Sequence, residues 1–217
     1  MNTPRREIEW LVWGALALTS LTIAVAFVWS RWNGAGVSSV QLPVINASLP
    51  DVSLTNQVGE VFTPSSLRGQ VWVADVIFTR CAGPCPEMTR KMSQLQAAFP
   101  APAPVRFVTL STDPEFDSPG VLKRYAERFG AQPGRWQFLT GAKKEIARLT
   151  VEGLKLTALE KKGAEQETPE DLFIHSTLFV MVDRQGRLRA VVETGEPGWK
   201  ESVQAAINAL LREKEFR

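Results

Sequence analysis

Residues 10–30, WLVWGALALTSLTIAVAFVWS, contain no charged side chain. About 20 apolar residues are what a helix needs to cross roughly 30 Å of hydrocarbon. The run therefore predicts one transmembrane helix at 10–30 and separates it from everything that follows. Trp10, Trp13, Trp29 and Trp32 gather at its two ends, where indole rings favour the membrane interface. Arg5 and Arg6 precede the run, and only Arg31 follows it before Arg68. The positive-inside rule then predicts a single-pass membrane protein, with residues 1–9 cytoplasmic and the remainder extracytoplasmic, in the periplasm or its equivalent. A cleaved signal peptide is the alternative. It requires a shorter apolar core of about 7–15 residues and an A-x-A-like site, which Gly34-Ala35-Gly36 matches poorly. A buried core helix is a third reading, and the lack of a polar face argues against it. The absence of cysteine in or just after the run argues against a lipoprotein.

The rest is long enough for one ordinary domain. Net charge is +2, and the Lys and Arg residues are scattered as on a solvated face. That balance argues against a nucleic-acid partner. Residues 33–46 are small and polar, so 31–48 read as a linker, leaving 49–217 as the folded domain. Apolar runs at 71–78, 105–110 and 177–182 predict strands, with weaker ones at 136–139 and 188–192. Helical spacing appears at 86–99, 119–129, 142–149 and 200–211. Asp117-Ser118-Pro119 predicts a capped helix start, with Asp117 read as the cap, and Gly130 a stop. Residues 154–171 are charged and lack an apolar period, which predicts an excursion or hairpin. Alternating strands and helices with a late hairpin predict an α/β sheet with antiparallel edge pairing.

Chemistry is concentrated in few residues. The chain has two cysteines, in Cys81-Ala82-Gly83-Pro84-Cys85-Pro86, and one histidine, His175. Pro86 suits a first helical position, which places Cys85 near the N-cap and Cys81 in the preceding loop. A helix N-terminus stabilises a thiolate, favouring redox exchange and metal binding. Two thiolates and an imidazole suit Cu(I)/Cu(II) better than zinc, whose structural sites normally take four protein ligands. A plain structural disulfide is the bland alternative outside the cytoplasm, although so short a loop gains little from cross-linking. Met88 and Met92 sit at helical spacing and read as core.

FTRCAGPCPEMT after an apolar strand, STDPEFDSPGVLKRYAERFG in the middle and FIHSTLFVMVDRQGRL later together resemble the SCO/SenC family over about residues 49–211. LPDVSLTNQVGEVFTPSSLRGQVWVADVIF resembles that family's entry hairpin and first core strand. The resemblance implies a thioredoxin-like central sheet flanked by helices, with an N-terminal hairpin, behind one transmembrane helix. It implies a copper-binding metallochaperone delivering copper to the binuclear copper centre of cytochrome c oxidase or a related copper enzyme. Carried across by motif, Cys81, Cys85 and His175 match the family's copper ligands, and Asp113 falls on its acidic loop. Asp113 reads equally well as a second-shell residue or a turn former. The implied partners are a copper-accepting oxidase subunit, an upstream thiol reductant or copper donor, and the membrane. Two departures stand out. Ala82 follows the first cysteine where many members have proline, and Ser176 stands where thioredoxin-type oxidoreductases usually have a cis-proline. The alternative function is a thiol–disulfide oxidoreductase using Cys81 and Cys85 to reduce a copper-accepting partner. A tethered redox sensor is a third, and a peroxidase lacks its motif.

Overall fold

The computed structural model describes residues 5–33, 41–156, 159–160, 173–174 and 177–213. It divides into two units, Met1–Val40 and Gln41–Arg217.

In the first unit Arg5–Asn33 form one continuous helix, α1. The hydroxyls of Thr19, Ser20 and Thr22 donate to carbonyls three or four residues back. Their polarity is thus satisfied inside the helix, leaving an apolar exterior. The side chains described along α1 are Trp10, residues 13–26 and Trp29, all of them exposed. Among the described residues no helix is long and apolar enough to cross a membrane.

The second unit is built on a seven-stranded sheet. Its strands are β1 (Leu54–Asn56), β2 (Val61–Phe62), β3 (Val71–Ile77), β4 (Val105–Ser111) and β5 (Trp136–Thr140). A separate pair follows, β6 (Leu159–Glu160) and β7 (Phe173–Ile174), and then β8 (Leu178–Val182) and β9 (Leu188–Glu193). The order across the main sheet is β2-β1-β5-β4-β3-β8-β9. β3, β4 and β5 run parallel, while the β1–β2 hairpin and the β8–β9 hairpin pair antiparallel at the two sides. The helices are α2 (Cys85–Ala98), α3 (Pro119–Arg128), α4 (Lys143–Ala147), which runs on into a π-helical turn, and α5 (Trp199–Arg212). The charged excursion is a hairpin at its base, where β6 pairs with β7.

The two-residue period of β3 divides the core. Trp72, Ala74 and Val76 face one cluster with Val108, Leu139 and Leu149. Val71, Val73 and Ile77 face the other, under Met88, Met92 and Leu95 of α2, Tyr125 of α3 and Ile207 of α5. Met88 and Met92 are buried there as the helical spacing predicts. Burying each such side chain contributes about 1.5–3 kcal/mol, so α2 is held firmly over the end of β3.

One predicted cap is corrected. Ser118, not Asp117, is the N-cap of α3, and it makes no side-chain capping bond. Asp117 is fully buried. It accepts the Thr79 N–H at 3.1 Å, the Thr79 hydroxyl and the Ser111 hydroxyl. A local rule assigned it to the helix that follows, but the open backbone N–H at the end of β3 is the stronger claimant.

Candidate metal and thiol site

β3 ends at Ile77 and the chain turns through Phe78–Cys81, closed by a bond from the Cys81 N–H to the Phe78 carbonyl. Asp117 ties Thr79 to the β4–α3 loop, so the turn is fixed from the side. Arg80 points outward. Its guanidinium binds Asp113 at 2.5 Å and lies 4.4 Å from the ring centre of half-exposed Phe116. Asp113 is therefore committed to the residue next to Cys81, while its carbonyl also closes the turn to Phe116 and Asp117. The turn-forming reading of Asp113 matches these backbone bonds.

The helix starts one residue earlier than the proline rule predicts. Pro84 is the N-cap, Cys85 is the first helical residue and Pro86 the second. Cys81 and Cys85 are both buried, in the thiol form, within the α2-side core cluster. The Cys81 Sγ accepts the Gly83 N–H at 3.3 Å. Cys85 hydrogen-bonds Cys81, and that bond, followed by burial and the charge of Cys81, pushes the Cys85 thiol well above its ordinary pKa. The Phe78 N–H opposes this only in part. The expectation that the helix terminus lowers the thiol pKa therefore fails for Cys85, because the neighbouring sulfur and the apolar surroundings outweigh the dipole. Chemically, one thiol is held as a proton donor to the other, and two soft sulfur donors are placed side by side. Such a donor set fits Cu(I).

His175 and Ser176 lie outside the described residues, although Ile174 before them ends β7 and Thr177 after them leads into β8. The structure thus brings Cys81 and Cys85 together, while Asp113 pairs with Arg80, the residue before Cys81. Among the described residues no group of three or more His, Cys, Asp or Glu side chains could hold a metal.

Residues not singled out from sequence complete the surroundings. The Thr89 hydroxyl donates to the Cys85 carbonyl at 2.9 Å and meets the Tyr125 hydroxyl at 3.0 Å. Beneath them Asp75, in the middle of β3, has no solvent exposure. A carboxylate inside VWVADVIF was the available signal.

Residues 46–212 match the family description SCO1/SenC. The chain belongs to the SCO1/SenC family. The SCO1 protein homologue of Bacillus subtilis (strain 168) is 34% identical over 146 residues, which cover 66% of this chain and 72% of that one. A Stutzerimonas stutzeri protein, named as a proposed copper-binding protein, is 27% identical over 191 residues, 87% of each chain. The solved structure of BsSco superposes with a TM-score of 0.66 at 29% identity, covering 80% of this chain and 99% of that one. BsSco is described as a member of the Sco family of cytochrome c oxidase assembly proteins with a disulfide switch. The fold of this SCO1/SenC chain is accordingly thioredoxin-like, as the sequence resemblance implied.

Proposed function

We propose that this SCO1/SenC protein binds copper through Cys81, Cys85 and His175 and delivers it to the binuclear centre of cytochrome c oxidase or a related copper enzyme. The observation that carries the reading is the buried, mutually hydrogen-bonded pair Cys81–Cys85 at the first turn of α2. The copper-binding and oxidase-assembly descriptions of its relatives support it. Copper is cargo here. The two sulfurs suffice for soft Cu(I), and the nitrogen of His175 completes a set that accepts Cu(II). The domain is proposed to be extracytoplasmic, anchored by residues 10–30 with residues 1–9 in the cytoplasm. The uncharged run, the unbroken helix Arg5–Asn33 and the internally satisfied hydroxyls support this placement. A reporter fused at the C-terminus should be active only outside the cytoplasm, and activity inside it would overturn the topology.

A thiol–disulfide exchange role is the second reading, favoured by the hydrogen bond between the Cys81 and Cys85 side chains. The two roles are compatible, since a disulfide cannot hold Cu(I) and must first be reduced. The deciding experiment is a copper titration of the reduced full chain in detergent. One equivalent of Cu(I) should bind, and Cys81→Ser or Cys85→Ser should lose it. His175→Ala should keep Cu(I), weaken Cu(II) and remove nitrogen coupling from the Cu(II) paramagnetic resonance spectrum. No stoichiometric copper binding by the reduced wild type would leave the exchange role as the function.

A further inference from the structure

Thr194 follows the last residue of β9 and is buried, where a valine would have the same shape without a polar group to satisfy. Its N–H and its hydroxyl both donate to the Thr177 carbonyl, at 2.9 and 2.8 Å. The same hydroxyl touches the Met88 thioether sulfur at 2.9 Å. Its own carbonyl accepts the Lys91 ammonium at 2.6 Å. Lys91 is steadied in turn by the face of Trp199, whose ring centre is 5.5 Å from Nζ. The neighbouring Glu193 carboxylate accepts the Thr177 hydroxyl as well as the Gly195 N–H. Thr177 is thus gripped through both its carbonyl and its hydroxyl. The grip is anchored on α2, by Met88 and Lys91, three and six residues after Cys85. His175 stands two residues before Thr177, and two residues of chain span at most about 7 Å. The helix that begins at Cys85 is therefore tied, through one threonine, to the chain that carries His175.

We propose that Thr194 is a positioning residue that fixes the place of His175 relative to Cys81 and Cys85, and so sets how well the site takes Cu(II) compared with Cu(I). The inference rests on the copper reading of the site. Cu(I) is satisfied by the two sulfurs and is indifferent to where the imidazole stands. Cu(II) takes the nitrogen as well, so any freedom left to His175 is lost when Cu(II) binds and subtracts from its affinity. A tie between α2 and Thr177 removes that freedom before the metal arrives. Groups that orient a ligand without touching the metal commonly carry about 10–100-fold in metal affinity. Thr194 acts through two residues of backbone, which places its effect at the low end of that range. Met88 and Lys91 share in the role as the points on α2 to which Thr194 is fixed.

The test uses the reduced full chain in detergent, titrated separately with Cu(I) and Cu(II) against competing chelators. Thr194→Val keeps the shape and the N–H bond to Thr177 and removes only the hydroxyl. It should bind Cu(II) on the order of tenfold more weakly than the wild type, with reduced nitrogen coupling in the paramagnetic resonance spectrum. Its Cu(I) affinity should equal that of the wild type. Thr194→Ser restores the hydroxyl and should return both Cu(II) readouts. Lys91→Met leaves Thr194 in place but cuts its tie to α2. It should weaken Cu(II) about threefold and spare Cu(I), and it decides the question alone where Thr194→Val does not fold. Wild-type Cu(II) affinity and spectrum in these variants overturn the proposal. Equal losses of Cu(I) and Cu(II) overturn it too, because they report damage to the thiol loop and not a displaced His175. Wild-type Cu(II) binding by His175→Ala overturns instead the copper reading of His175 on which the inference rests.

Discussion

Asp75 and Asp183 are both buried aspartates of the same sheet unit, exposed by 0% and 3%, yet their surroundings are opposite. Asp183 sits in the β8–β9 turn. Its Oδ1 accepts the N–H groups of Gln185 and Arg187, each at 3.0 Å. Its Oδ2 accepts Arg187 Nε at 2.8 Å and Arg189 Nη1 at 2.7 Å. Burial pushes its pKa up, but the Arg187 N–H and the two guanidinium groups outweigh burial and hold it below the usual carboxylate range. Asp75 is the more deeply buried, and against that burial it has one neutral hydroxyl and its own backbone, so its pKa is pushed up to about 7. Four donors make a carboxylate part of the scaffold; one leaves it able to take a proton. Burial alone decides neither outcome.

The contrast can be broken at several places. Arg189 is 4% exposed. It bonds Asp183, Glu213 and the carbonyls of Leu42 and Pro43. Arg189→Ala strands these groups and should destabilise the unit by about 5 kcal/mol in denaturant unfolding. Asp75→Asn should act in the opposite direction. The folded pKa of Asp75, about 7, lies above its unfolded value of 3.8, so the fold favours the protonated form. Its contribution to stability is full below pH 4 and is lost as the pH rises to 7. Asp75→Asn should therefore stabilise the protein by on the order of 4 kcal/mol at pH 8 and much less at pH 4, read from unfolding at the two pH values. Asp117→Ala removes the acceptor of two hydroxyls and one N–H. It should cost about 2 kcal/mol and loosen the Thr79 turn, visible as faster amide exchange there. Arg80→Ala breaks an ion pair whose cation is 42% exposed. It should cost less than about 1 kcal/mol, so a large loss would mean that the Arg80–Phe116 contact carries more than its exposure implies.

Strands and helices with a clear apolar period were legible in the sequence. β3, β4, β8, α3 and α5 fall within a few residues of their expected positions. The cysteine pair was legible because its motif is local. Local rules misplaced what distant groups decide. Asp117 was assigned to the adjacent helix, but its partner Thr79 is 38 residues away. The start of α2 moved to Cys85 because Pro84 serves as its N-cap. Asp75 was invisible for a different reason. Within VWVADVIF it reads as one polar residue in a buried strand, and only the packing of α2 and Tyr125 over that face makes it a neighbour of the thiols. The role of His175 rests on its motif, FIHSTLF.

The Arg189 clasp has a mechanical consequence. It gathers Leu42 and Pro43, where the chain enters the unit, and Glu213, the last residue described after α5, onto one side chain. Val182, just before the clasp, pairs with Trp72 at the start of β3, whereas Cys81 follows the end of that strand. Seven residues of β-strand, roughly 23 Å, separate the two poles. Tension applied through the chain entering at residue 41 is therefore borne by the β8–β9 hairpin and not by the thiol loop. Labels attached at residue 42 and at residue 213 are thus held near one another by a single side chain, at the pole of β3 opposite Cys81.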